Sequence, residues 1–234
     1  GDELFGQLLI APIGSAGTYA EYVAVSEDAP LARVPNGLDP VLAAALPTAG
    51  STGLALVDLL EPLRGKTVLI VGAGGGVGSF ATQFAAQAGA GVIANVHAAA
   101  AARMHRYGAA ETIDHTAVSL PDAVRQAHPE GIDVLMDLVS DAEGFAELSS
   151  LVRQGGTAVT TTYVADVKAL AAAGVNGINF ALHETSELLE RLAAAVVAGR
   201  IVAPPITRIA LEQAPAAVSQ AQTRPVDGKT VITV

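Results

Sequence analysis

Val68-Leu-Ile-Val-Gly-Ala-Gly-Gly-Gly-Val-Gly-Ser79 decides how the rest of this chain is read. Four branched apolar residues run into five glycines within seven positions, and a helix-like segment follows over residues 80–88. The order is strand, tight turn, helix. Glycine has no Cβ, so such a turn can lay its backbone N–H groups against a pyrophosphate, and the helix N-terminus adds the positive end of its dipole. A glycine-rich stretch alone says little. This one stands before a second apolar run, Gly91-Val-Ile-Ala-Asn95, which is the setting a dinucleotide-binding βαβ unit requires.

Outward from this unit the alternation continues. Residues 98–107 read as a helix closed by Gly108, 111–114 as a strand, 122–127 as a helix and 132–139 as a strand. A helix is expected over 142–153, ending in Gln154-Gly-Gly156, then a strand over 157–164, a helix over 167–173 and a last strand over 175–182. Strands alternating with helices imply an α/β fold: a six-stranded, doubly wound parallel sheet of the Rossmann type. The flanks differ. Residues 17–25 look like a strand, residues 30–40 form a loop punctuated by Pro30, Pro35, Gly37 and Pro40, and a helix over 41–60 is interrupted at Pro47. Residues 184–198 form an amphipathic helix closed by Gly199; a helix over 211–222 and a closing strand over 230–234 follow. The expected organisation is therefore a sheet domain over 48–182 bracketed by 1–47 and 183–234, two pieces of one further domain.

Bulk properties narrow the function. The chain has 234 residues, 51% hydrophobic and 15% charged, which excludes global disorder. Its net charge is −10 and no Lys/Arg cluster occurs, so neither nucleic acid nor an anionic membrane is expected as a partner. It contains no cysteine, which excludes disulfides and any Cys-based zinc or iron–sulfur site in this chain. No charged residue occurs over 67–102, a length that could span a membrane. Repeated glycines with Ser79, Thr82, Gln83, Gln87 and Asn95 make a buried βαβ unit the better reading. The first residues carry neither a basic nor an apolar signal region, so a cytoplasmic location is expected.

Eight collinear segments together resemble the medium-chain dehydrogenase/reductase superfamily, and within it the zinc-free, quinone oxidoreductase-like (zeta-crystallin-like) branch. They are Gly1-Asp-Glu-Leu-Phe-Gly6, Gly17-Thr-Tyr-Ala-Glu-Tyr-Val23, Ala43-Ala-Ala-Leu-Pro-Thr-Ala-Gly-Ser-Thr-Gly53, Gly72-Ala-Gly-Gly-Gly-Val-Gly78, Tyr107-Gly-Ala, Ile113-Asp-His115, Asp133-Val-Leu-Met-Asp137 and Gly228-Lys-Thr-Val231. The resemblance implies that the flanks are remnants of a small β-rich, GroES-like catalytic domain, much of which lies upstream of Gly1 in family members. Two departures point to the zinc-free branch. Zinc-dependent relatives carry a four-cysteine lobe between the segments at Gly6 and Gly17, where this chain has a short Cys-free loop. They also place a zinc-ligating cysteine where this chain has Thr48, and a hydroxyl is a poor zinc ligand beside a thiolate. No metal is expected.

The same reading assigns site residues. Gly72, Ala73, Gly75, Gly76, Val77 and Gly78 are expected to form the pyrophosphate turn; counted from Gly72, Val77 occupies the place of the third glycine in the strict G-x-G-x-x-G spacing. A βαβ turn that binds nothing is the alternative. Asn95 stands where NAD-binding proteins usually carry Asp or Glu for the ribose 2′-OH, which favours NADPH as cofactor. Relatives place Lys or Arg in the next loop. This chain has alanines there, with Arg103 and Arg106 one to two turns later, so His97 and His115 are the candidate phosphate donors, or else ordinary surface residues. Leu138 and Val139 are expected at the adenine side, and Thr161, Thr162 and Tyr163 at the nicotinamide, because ligands bind beyond the carboxyl ends of the strands. By family position, Thr48 and Thr52 approach the nicotinamide region and Lys229 the pyrophosphate.

Tyr163 is the candidate proton donor, its ordinary pKa near 10 suiting donation to an enolate; packing is its alternative role. The resemblance implies hydride transfer from NADPH to a quinone or an activated C=C of an enone or alkenal, without zinc. An enoyl-thioester reductase and a catalytically silent nucleotide-binding protein remain alternatives. Family members pair the last sheet strand across a two-fold axis, so a homodimer through residues 175–182 is expected.

Overall fold

The structure, a computed structural model, describes residues 1–8, 17–223 and 228–234. In chain order the elements are β1 (Leu4–Gly6), β2 (Leu31–Arg33), α1 (Pro40–Ala45), α2 (Ala49–Leu60), β3 (Thr67–Val71), α3 (Gly76–Gln87), β4 (Gly91–Val96), α4 (Ala98–Arg106), β5 (Glu111–Asp114) and α5 (Leu120–Ala127). They continue with β6 (Ile132–Asp137), α6 (Ala142–Ser149), β7 (Val152–Thr160), α7 (Val167–Ala172), β8 (Asn176–Asn179), α8 (Ser186–Val197), β9 (Ile206–Ala210), a single 3-10 turn (Leu211–Gln213), α9 (Ala214–Thr223) and β10 (Lys229–Thr233). Two compact units result, one over Thr52–Leu182 and one joining Gly1–Ser51 to His183–Val234; the boundary falls inside α2.

The unit Thr52–Leu182 contains one parallel sheet in the order β5-β4-β3-β6-β7-β8. From β3 the chain winds to β4 and β5, returns to pair β6 on the other side of β3, and continues outward to β8. The winding therefore reverses beside β3, which places the glycine-rich turn at the switch point where an open α/β sheet leaves a crevice. The β-branched and leucine residues of β3 fit a strand covered on both faces: Val68, Leu69, Ile70 and Val71 are all buried. On one side of the sheet Leu69, Val71, Ile93, Leu135 and Ala158 pack with Val124, Phe145 and Leu148 from α5 and α6. Burying each Leu, Ile or Phe there contributes about 1.5–3 kcal/mol.

Helix starts follow from local capping. His97, Ser119, Asp141 and Asp166 accept backbone N–H groups at the starts of α4, α5, α6 and α7. The start of α3 differs, because its N-cap is Gly75, with no side chain to occupy the first-turn donors.

In the other unit β1 pairs antiparallel with β2, and β9 parallel with β10. Asp39 caps α1 through the Val41 N–H at 2.8 Å, and Thr185 caps α8 through Leu188 at 3.1 Å. The inner face of α8 buries Leu188, Leu189, Leu192 and Ala193; at Gly50 a Cβ would stand 2.7 Å from a Leu192 methyl.

Four sequence expectations are corrected. Residues 17–25 form no strand: no described strand lies beside them to take their backbone groups, and Tyr22 is 91% exposed. Gln154-Gly155-Gly156 does not end a helix. α6 stops at Ser149 and the glycines lie inside β7, where the register with β6 shifts and Gly155 takes φ +77° as a bulge residue. β6 ends at Asp137 and β7 at Thr160, so Leu138, Val139 and Thr161 to Tyr163 lie in the turns beyond. The last sheet strand is short. Phe180 still donates to Thr160 O at 2.8 Å, but β7 ends there and offers Ala181 and Leu182 no partner. Part of the loop between Gly6 and Gly17 lies outside the described residues. No helix among the described residues is long and apolar enough to cross a membrane.

Candidate active site

Three glycines spaced by three give the turn after β3 its shape. Gly72 leaves the strand with φ +79°, and a Cβ there would stand 2.8 Å from Val139 Cγ1. Gly75 caps α3, and Ser79 N donates back to its carbonyl at 2.9 Å. Gly78 sits where a Cβ would run into the Gly72 carbonyl and Ala73 Cα. Turn, cap and close helix–strand approach are thus served by Gly72, Gly75 and Gly78, and Val77 is not required to be glycine. With no side-chain cap, the first-turn N–H groups of α3 at Gly76, Val77 and Gly78 face out of the helix end. A pyrophosphate matches that arrangement in charge and donor geometry. The turn is tied to its neighbour, since Ala73 N donates to Asn95 O at 3.3 Å.

At the end of β4, Asn95 is buried and its Nδ2 donates to Ile113 O of β5 at 3.3 Å. His97 is exposed and caps α4, with its Nδ1 accepting from Ala99 N at 3.2 Å, so a neutral ring carries its proton on Nε2. Asp114 also serves this helix start: Oδ2 accepts from Ala98 N at 3.1 Å, and Oδ1 from Thr116 N and Oγ1 at 2.9 and 2.7 Å. The Thr116 hydroxyl, then its N–H, hold the carboxyl below its ordinary pKa, with Ala98 N–H and His97 helping. His115 is exposed in the turn after β5.

Beyond β6 and β7 two turns are stitched together. Asp137 is fully buried; Oδ1 accepts from Val139 N at 3.1 Å and Ser140 N at 2.9 Å, and Oδ2 has no hydrogen-bond partner. Thr161 N donates to Asp137 O at 3.2 Å, Thr162 Oγ1 to Ser140 O at 3.0 Å, and the Thr160 and Thr162 hydroxyls share a hydrogen 2.9 Å apart. Val139, 62% exposed, leans over Gly72. Tyr163 is 61% exposed and holds φ +62°, left-handed backbone that costs a non-glycine residue roughly 1–2 kcal/mol. Thr52 is buried in α2, in the same unit.

The unit Thr52–Leu182 therefore carries Thr52, the glycine turn, Asn95, His97, His115, Leu138, Val139, Thr161, Thr162 and Tyr163. Thr48 and Lys229 belong to the other unit. Thr48 is exposed with φ +63° just before α2. Lys229 opens β10, and burial pushes its ammonium below the usual lysine range. Sequence reasoning missed two features. One is Asp137, whose signal was an acid closing an apolar strand. The other is the fold-back of Arg103, whose Nη2 donates to Gly74 O at 3.2 Å; its signal was the alanine run that leaves space for it.

A family profile described as zinc-binding dehydrogenase matches residues 76–194, about half of the chain. The chain belongs to that family. The 2-methylene-furan-3-one reductase of Solanum lycopersicum is 28% identical over 239 residues, covering 99% of this chain and 57% of that protein. The chloroplastic NADPH-dependent alkenal/one oxidoreductase of Arabidopsis thaliana is 27% identical over 220 residues, covering 92% and 53%. The solved quinone oxidoreductase of Coxiella burnetii superimposes with a TM-score of 0.79 at 27% identity, covering 89% of this chain and 65% of that one. The resemblance to the medium-chain dehydrogenase/reductase superfamily read from the sequence is thereby borne out, as is the Rossmann-type sheet. The chain spans about half the length of the curated relatives it matches.

Proposed function

We propose that this chain is part of an NADPH-dependent reductase that acts on quinones or on the activated C=C bond of enones and alkenals, without zinc. The observation that carries the reading is the start of α3, where Gly75 provides no side-chain cap for the first-turn N–H groups, behind a turn whose tight approach to the helix needs glycine at positions 72 and 78. A bound nicotinamide dinucleotide supplies hydride. The names of the similar plant reductases and of the solved quinone oxidoreductase support the substrate class. The absent carboxylate at Asn95 supports NADPH over NADH. The cysteine-free sequence, with Thr48 at the position matching a zinc-ligating cysteine, supports reduction without zinc.

In this reading the α3 N–H groups and Ala73 hold the pyrophosphate. Leu138 and Val139 pack the adenine side, and His97 and His115 face the adenosine ribose. Thr161 and Thr162 orient the nicotinamide, with Thr52 as a further contact. Tyr163 Oη gives up its proton to the enolate oxygen that develops as the substrate accepts hydride, so the product gains one hydride and one proton.

Titrating the full-length protein with NADPH and then NADH, followed by nicotinamide fluorescence, tests the cofactor assignment. Tight NADPH binding with much weaker NADH binding is expected. Tighter NADH binding would reverse the assignment at the end of β4, and binding of neither would leave a silent fold.

A further inference from the structure

We propose that Arg103 is the residue that selects NADPH over NADH. The inference rests on the dinucleotide reading above and names the cation that reading lacks. The end of β4 supplies none: Asn95 is buried with its amide on Ile113 O, His97 is occupied as the α4 cap, and residues 98–102 are alanines. The guanidinium comes instead from one turn further on. Arg103 Nη2 lies 3.2 Å from Gly74 O, inside the glycine-rich turn.

Gly74 marks where three elements meet, since a Cβ built on it would lie 3.5 Å from Val96 Cγ1 at the end of β4 and 3.8 Å from Ala100 Cβ in α4. Helical side chains lean toward the helix N-terminus, and positions 100 and 103 share a face. The methyl group of Ala100 therefore leaves the space through which the long Arg103 side chain reaches back to the turn.

The junction of the glycine turn with the second strand of the βαβ unit is where such folds read the ribose 2′ position, through a carboxylate for a hydroxyl or a nearby arginine for a phosphate. Here the strand end has no carboxylate and the turn holds a guanidinium. A planar guanidinium matches a phosphate with paired, charge-assisted bonds and stays protonated throughout the working pH range. The Asp114 carboxylate, at the start of α4, has both oxygens committed to Ala98 and Thr116.

The test is calorimetry on the full-length protein and on Arg103→Gln, Arg103→Lys and Arg106→Gln, with NADPH, NADH, 2′-AMP and 5′-AMP as ligands. Arg103→Gln is expected to weaken NADPH and 2′-AMP about ten- to hundredfold while leaving NADH and 5′-AMP within about twofold. Arg103→Lys keeps the charge without the fork and is expected to retain part of the preference; Arg106→Gln is expected to match the wild type. An Arg103→Gln protein that keeps the wild-type NADPH/NADH ratio overturns the assignment while the cofactor reading stands. Equal weakening of both dinucleotides also overturns it, because it reports only a loosened turn. A wild type that binds NADPH no better than NADH overturns the cofactor reading itself.

Discussion

Gly78 and Tyr163 are the two residues whose backbones say most about what the site demands. At Gly78 the Cβ of any other residue meets backbone rather than a side chain that could move aside. Gly78→Ala is expected to cost about 1–3 kcal/mol, read as a lower denaturation midpoint, and to weaken dinucleotide binding at least tenfold. Unchanged stability and affinity would show that α3 does not need its close approach to the turn. Tyr163 carries the opposite logic. A tyrosine with φ +62° stores strain that a glycine would relieve, and the surrounding Thr160, Thr162 and Ser140 bonds keep the turn in place. If its hydroxyl delivers the proton, Tyr163→Phe lowers kcat by about tenfold or more while NADPH affinity holds. A kcat within twofold of the wild type returns Tyr163 to a packing role.

At the scale of elements, α4 is where structure and titration meet. Asp114 holds its start through Ala98 N, and its folded pKa lies below the ordinary carboxylate value. A depressed carboxylate stabilises the fold fully above its unfolded pKa of about 4, and that contribution disappears as pH falls through the folded pKa. Urea midpoints of the wild type and Asp114→Asn are therefore expected to differ at pH 7 and to converge as the pH drops below about 4. A constant gap across that range would contradict the cap.

Much of the element pattern was legible because it depends on neighbours in sequence. The apolar run of β3, the strand Glu111–Asp114 and the glycine that closes α4 all depend on local sequence. What escaped was non-local. Residues 17–25 alternate like a strand, yet a strand exists only where another takes its hydrogen bonds. Gly155 looked like a helix stop because a β-bulge uses the same positive φ. The glycine turn was readable from spacing and composition. The contact of Arg103 with Gly74 was not, since it depends on how α4 returns beside the turn 29 residues earlier.

For the whole molecule, the expected assembly follows from the sheet edge. β8 pairs only with β7 among the described strands, and its outer backbone groups, at Asn176–Asn179, would meet their counterparts across a two-fold axis. We therefore expect a homodimer, seen in light scattering at micromolar concentration as twice the chain mass. A monomer at that concentration would remove β8 from consideration.

The division into units also sets an order of events during synthesis. All strands of the parallel sheet have been translated by Asn179, so this unit can close while the ribosome is still adding residues. The other unit cannot. Its Asp39 meets Arg208 at 2.5 Å across 169 residues of chain, so the segment that carries Asp39 must wait, without that partner, until β9 has emerged. During that interval the exposed Tyr19 and Tyr22 belong to a nascent protein whose sheet unit can already be closed and whose other unit cannot. Premature termination before β9 would thus release a chain with an intact glycine turn and α8 in place, but with Asp39 left without Arg208 and with β9, α9 and β10 missing from the second unit.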